Sequence, residues 1–140
     1  MVKFYLEKII KEKRDLVYHI FSDYENYDKL FPLHYPSIRI RSVRGNVAVV
    51  EEHMNLGQNE LIIMAKHVAE PPVTHDIFVI GGDAKGSHIQ QRFIETPEGT
   101  KVMIDVDFKL KGKMKISTLF GKDNLKEDYA KILDNFAKAV

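Results

Sequence analysis

Between residues 37 and 113 the chain reads as short runs rich in β-branched and aromatic residues. Turn signals break them at near-regular intervals: Gly45-Asn46, Gly57-Gln58, Pro71-Pro72, the run from Gly81 to Gly86, and Pro97-Glu98-Gly99. Six strands joined as consecutive hairpins are expected, because glycine supplies the backbone angles of tight turns and proline cannot donate to a strand ladder. The text then changes period. From about Asp123, Leu125, Tyr129, Ile132, Leu133, Phe136 and Val140 recur at three- and four-residue spacing, which predicts one long helix with a single apolar stripe.

Ahead of the hairpins, residues 2–9 alternate as a strand does, and residues 13–21 place Leu16, Val17, Ile20 and Phe21 at helical spacing. Asp23 is positioned to cap a second short helix with Tyr27, Leu30 and Phe31 on its apolar side, and Pro32 ends it. A sheet with one apolar face has to bury that face, and the last helix is the element long enough to cover seven strands. The expected fold is therefore α+β: a curved seven-stranded antiparallel sheet around a long C-terminal helix, with two short helices after the first strand. A chain of 140 residues with no internal repeat or linker reads as one domain, 1–140.

Several function classes drop out on composition. Twenty-one basic against twenty acidic side chains leave no broad basic footprint, which argues against a dedicated nucleic-acid binder. The absence of cysteine removes disulfides, thiolate nucleophiles and cysteine-built zinc sites. The histidines (His19, His34, His53, His67, His75 and His88) lack metal-site spacing, so no metal and no cofactor are expected. No apolar run is long enough to span a bilayer, and residues 1–10 lack the apolar core of a signal peptide; a cytoplasmic protein is expected.

The stretch VYHIFSDYENYDKLFP (17–32), with RGNVAVVE (44–51) and AEPPVTH (69–75), resembles the START and birch-pollen-allergen (SRPBCC) superfamily, on the branch of polyketide cyclases and coenzyme-Q-binding proteins. The resemblance covers nearly the whole chain and implies the helix-grip fold. It also implies an apolar cavity between sheet and helix for a lipid, an isoprenoid quinone or a polycyclic aromatic. Fold alone does not assign function.

Pairing the hairpins across their turns gives a register. One cross-strand row reads Val50, Ala65, Phe78, Ile89, Phe108, and the next Ala48, His67, Asp76, Gln91, Val106. The last strand fixes the faces, because Val102, Ile104, Val106, Phe108 and Leu110 alternate with Met103, Asp105, Asp107, Lys109 and Lys111. The interior is then apolar with a polar island of His67, Asp76 and Gln91, and Glu52 faces Ile63 beside it. An unpartnered buried carboxylate is costly, so Asp76 is expected to pair with His67. That pair orients a ligand's polar end, poises the histidine as an acid or base, or is structural. The expected ligand-facing set adds Ile63, Phe93 and Ile104 from the sheet, Tyr27 and Phe31 from the second helix, Phe120 ahead of the last helix, and Tyr129 and Leu133 on it.

Other features carry bland readings beside functional ones. GGDAKGS (81–87) has the residue types of a phosphate loop in the wrong order and reads as a hairpin tip. KLKGKMK (109–115) and the arginines Arg39, Arg41 and Arg44 read as solvated strand faces or charged edges. Met114, Ile116, Leu119 and Phe120 read as a lid over a cavity mouth. Val47, Val49, Ile62, Met64, Val68, Ile77 and Val79 fall on the outer face, which a homodimer would cover. The leading expectation is a binder or carrier of a small apolar ligand. The alternatives are a cyclase- or aromatase-like enzyme using His67 and Asp76, and a protein- or ribosome-interaction module with a filled core.

Overall fold

The computed structural model describes residues 2–109 and 122–140. Strand β1 (Val2–Ile10) leads into helix α1 (Arg14–Ser22), a single 3-10 turn (Tyr24–Asn26) and the one-turn helix α2 (Tyr27–Leu30). Strands β2 (Ser37–Arg44), β3 (Val47–Leu56), β4 (Asn59–Glu70), β5 (Thr74–Gly82), β6 (His88–Thr96) and β7 (Gly99–Phe108) follow, and helix α3 (Lys122–Lys138) closes the chain. The strands form one antiparallel sheet in the order β1-β7-β6-β5-β4-β3-β2, so the meander closes back onto the first strand. This is the sheet-around-helix architecture expected from the turn spacing and the helix-grip fold that the resemblance implies. Lys111, Lys113, Lys115 and the proposed lid, with Leu110 and Phe120, lie outside the described residues.

Each element forms for a local reason and is held by the core. Leu125, Tyr129, Ile132, Leu133 and Phe136 of α3 are all buried, so the apolar stripe lies against the sheet. Phe4 of β1 meets Tyr129, with ring centroids 6.0 Å apart. Phe136 is enclosed by aromatic rings: it stacks on Phe31 at 3.9 Å and meets Phe21 and Tyr27, each at 5.2 Å. Burial of each such ring contributes about 1.5–3 kcal/mol, which is how two helices too short to stand alone are held in place. Asp23 departs from the expected backbone cap. Its Oδ2 accepts from the Asn26 side-chain amide at 2.8 Å.

The β3–β4 register is the expected one, with Val50 opposite Ala65 and Glu52 opposite Ile63 across a turn in which Gly57 takes φ +64°. From β5 onward the pairing differs. The Pro-Pro connection is a three-residue loop, Pro71 to Val73, closed by the Val73 N–H donating to Glu70 O at 2.9 Å. Val79 rather than Phe78 is therefore opposite Ala65, and Ile77 rather than Asp76 is opposite His67. A one-residue shift exchanges the two faces of a strand. His75, Ile77 and Val79 are buried on the concave face, while Asp76, Phe78 and Ile80 face outward. Both phases of this strand are apolar enough to be buried, but only one contains a carboxylate. On the outer face Asp76 is only half-buried and keeps part of its hydration, and its Oδ1 meets His88 Nε2 at 2.8 Å. The outer face consequently loses Ile77 and Val79 and gains Phe78, whose ring stacks on His88 at 4.3 Å.

The sheet's far ladders keep the expected faces but move along the strand. A two-residue turn at Pro97-Glu98 sets Ile89 opposite Val106 and Gln91 opposite Ile104, where the expected partners were Phe108 and Val106. Arg39, Arg41 and Arg44 lie on β2, an edge strand exposed along most of its length, in keeping with a charged edge.

The β5 phase predicts a pair of opposite outcomes. Ile77→Asp puts a charge into the core and costs more than about 4 kcal/mol, enough to unfold the protein. Phe78→Asp loses one exposed ring stack and costs about 1 kcal/mol. Urea unfolding of both variants distinguishes the observed register from the one-residue alternative, which reverses the order.

Candidate functional site

Four neighbouring strands each contribute one polar side chain to the concave face: Glu52 from β3, His67 from β4, His75 from β5 and Gln91 from β6. All four are buried, none more than 5% exposed. His75 and Gln91 are directly opposed, and His67 lies diagonally across from His75. Glu52 and His67 reach one another past Val50 and Ala65, the pair between them in the register; the small alanine leaves room for that reach. The four form one continuous chain. Glu52 Oε2 meets His67 Nε2 at 2.5 Å, His67 Nδ1 meets His75 Nε2 at 2.9 Å, and His75 Nδ1 meets Gln91 Oε1 at 2.7 Å.

The chain is clamped by rings. The two imidazoles are near parallel, 5.1 Å apart at 18°. Tyr24 lies over His67 at 4.8 Å, and Tyr27 meets it edge-on at 6.2 Å. Burial, with the neighbouring His67 as a second cause, lowers the His75 pKa to about 3, so this imidazole is neutral at ordinary pH. Burial raises the hydroxyls of Tyr27, Tyr35 and Tyr129, and the Glu52 carboxyl raises them further, so all three stay protonated. The Tyr27 hydroxyl donates to Phe21 O.

Between this face and α3 lies a residual space of about 10 Å³, roughly the room for one water. Its lining includes Gln91, Tyr27, Tyr35, Tyr129, Ile77, Ile104, Leu133 and Phe136. A larger cleft, about 530 Å³, lies outside between Lys11–Asp15 and the β6–β7 turn and is lined mainly by charged residues. It does not reach the concave face.

The structure sorts the residues expected to face a ligand. Tyr27, Phe31, Glu52, Ile63, Ala65, His67, Ile89, Gln91, Phe93, Ile104, Val106, Phe108, Tyr129 and Leu133 are buried in the interior. Of these, Tyr27, Gln91, Ile104, Tyr129 and Leu133 border the residual space. Asp76 and Phe78 do not belong to the site. The three-residue Pro71–Val73 loop turns both outward, so the expected Asp76–His67 pair does not form, and Glu52 and His75 are the partners of His67. Phe120 is outside the described residues. Sequence reasoning misses His75 as a member of the site; it reads Tyr35 as aromatic filling, with Tyr27 the preferred ligand contact, and Phe136 as part of the apolar stripe of the last helix. The signal for His75 was available: it shares a phase with Ile77 and Val79, the phase of β5 that carries no carboxylate.

No known protein-family profile and no curated protein matches the chain by sequence. Solved structures do match in shape. The crystal structure of TTHA0849 from Thermus thermophilus superposes with a TM-score of 0.83 at 14% identity, covering 97% of this chain and 94% of that one. The di-domain aromatase/cyclase (ARO/CYC) StfQ from the steffimycin biosynthetic pathway gives 0.75 at 13% identity, covering 99% of this chain, which spans 50% of StfQ. Major latex-like protein 151 from Panax ginseng gives 0.76 at 12% identity, covering 98% of this chain and 95% of that one. At these identities the likeness is one of fold, and the fold is the helix-grip fold. No helix among the described residues is long and apolar enough to cross a membrane.

The buried neutral His75 has a consequence for stability. Its folded pKa of about 3 lies below the ordinary 6.5, so between those values the unfolded chain binds a proton that the folded one does not. Stability therefore falls as pH drops through that window, by up to about 1.4 kcal/mol per pH unit from this residue. His75→Gln removes the titrating ring, and urea midpoints measured from pH 7 to 4 should fall less steeply for the variant than for the wild type.

Proposed function

We propose that the protein binds a small, mostly apolar molecule between the concave face of the sheet and α3, and holds or carries it with its polar end toward the Glu52–His67–His75–Gln91 row. The observation that carries this reading is the row itself. Four polar side chains on four adjacent strands, all buried, face the one helix that covers the sheet. An apolar core of equal volume would be at least as stable, so stability alone does not call for an acid and two imidazoles there. The apolar walls supply affinity through burial and the polar groups fix orientation. Lipids, isoprenoid quinones and polycyclic aromatics are the candidate ligand classes. The shape shared with an aromatase/cyclase and a major latex-like protein is compatible with such a role.

A second reading draws on the residual space of about 10 Å³. An interior that full suits an interaction module whose core is filled by its own side chains. For a ligand to enter, α3 and the aromatic cluster around Phe136 must give way.

Native mass spectrometry of gently purified protein, followed by solvent extraction, separates the two. The binding reading expects a co-purifying apolar molecule, lost or much reduced in Gln91→Leu and Tyr129→Ala and retained in Asp76→Asn, whose changed side chain faces outward. Clean apo protein with no thermal shift across fatty acids, isoprenoid quinones and polycyclic aromatics favours the filled module.

A further inference from the structure

The hydrogens of the buried row can be assigned atom by atom from one end. Gln91 Oε1 can only accept, so its 2.7 Å contact puts a hydrogen on His75 Nδ1. His75 is neutral, so its Nε2 carries a lone pair, and His67 Nδ1 donates to it across 2.9 Å. What remains is the 2.5 Å contact of His67 Nε2 with Glu52 Oε2, which holds one proton. Glu52 is then either a carboxylic acid donating to a neutral imidazole or a carboxylate accepting from an imidazolium. Both forms leave the row neutral. One further proton makes a carboxylic acid beside an imidazolium, and the row becomes a single positive charge without breaking a hydrogen bond.

The residual space beside the row is lined without a lysine or arginine among the described residues. Three of its four polar lining residues, Gln91, Tyr35 and Tyr129, have hydrogens left to donate. Gln91 has spent its oxygen on His75, which leaves its amide N–H groups. Tyr35 and Tyr129 keep their hydroxyl hydrogens, and Tyr27 has already given its own to Phe21 O. Such a set suits an acceptor oxygen. If that oxygen is charged, its counter-charge has to be created on binding, because an isolated buried anion is too costly. The Glu52–His67 pair is the group on this face that can create it; His75 is held neutral, and Tyr24 and Tyr27 present only rings to His67.

We propose that the ligand of this site is an oxygen acid on an apolar frame, a carboxylic acid or an acidic phenol or enol, bound as its anion while the Glu52–His67 pair holds a second proton. This rests on the ligand-binding reading above and adds its chemistry. The ligand's O–H bond breaks, the electron pair stays on its oxygen, and the proton is gained by the pair. A ligand already ionised in solution draws that proton from solvent instead, so its binding takes up one proton.

The probe is 4-nitrophenol, whose anion and neutral acid absorb at different wavelengths. It is added to the wild type and to Phe136→Ala, in which loss of the ring opens an aromatic-sized space. At one pH unit below the probe's own pKa only about a tenth of the free probe is ionised. The bound probe should show mainly the anion band. In the His67→Gln form of each protein, the ring that carries the added charge is gone while the new amide can still donate to His75 Nε2; the bound probe should be neutral, with the anion band down about fivefold or more. Asp76→Asn should leave the band unchanged. Above the probe's pKa, calorimetry in two buffers of different protonation enthalpy should read one proton taken up per probe bound, a measurement that needs no variant at the pair. A probe that binds as the neutral acid, or binds without proton uptake, overturns the proposal while leaving the binding reading intact. No binding by either protein, with circular dichroism unchanged, overturns both.

Discussion

A carboxyl group taken out of water has to be neutralised or hydrogen-bonded, and Glu52 is 2% exposed on a face otherwise built to be apolar. Its partner is His67, which cannot satisfy both ring nitrogens on Glu52 alone and so reaches to His75, which in turn reaches to Gln91. The requirement passes from strand to strand and ends at an amide oxygen, a group that needs no further donor. Each step depends on register. Slide β5 by one residue and His75 faces solvent, Asp76 enters the core as a second carboxylate, and the chain is cut at His67. The polar row and the sheet's pairing therefore support one another.

The helices are placed by the same interior. Tyr24 and Tyr27 close over His67, Tyr129 from α3 comes within the field of Glu52, and Phe136 fills the space between with four aromatic neighbours: Phe21, Tyr27, Phe31 and Tyr35. Such an interior is tightly packed around a polar seam that packing does not require. Close packing resists small changes of volume, so a guest of any size has to displace rings rather than fill a standing void. Phe31 and Phe136, stacked face to face, are the pair such a displacement would have to part.

Much of this was legible in the sequence because its signals are local. Glycine and proline pairs marked the hairpins, and the spacing of Leu125, Tyr129, Ile132, Leu133 and Phe136 marked the covering helix. Glu52, His67 and Gln91 could be placed inward because β3 and β4 meet at a tight two-residue turn and β7 alternates cleanly against β6. Strand β5 lacked that help. Both of its phases are largely apolar, Pro71-Pro72 does not state how many residues its loop contains, and the irregularity between Met64 and Ala65 leaves no trace in composition. For those reasons the sequence alone points Asp76 and Phe78 inward and gives His75 no face. Tyr35 lies in the irregular stretch between Phe31 and β2, where no period exists to give it a face.

The central claim is that Glu52, His67, His75 and Gln91 form one buried hydrogen-bonded chain with His75 neutral within it. Nitrogen-15 NMR of histidine-labelled protein at neutral pH tests it most directly. The account predicts that His75 is a neutral ring protonated at Nδ1, that His67 carries a hydrogen on Nδ1 bonded to His75 Nε2, and that Asp76→Asn leaves both signals where they are. A His75 ring protonated at both nitrogens, or a His67 signal that moves when Asp76 rather than Glu52 is changed, would contradict it.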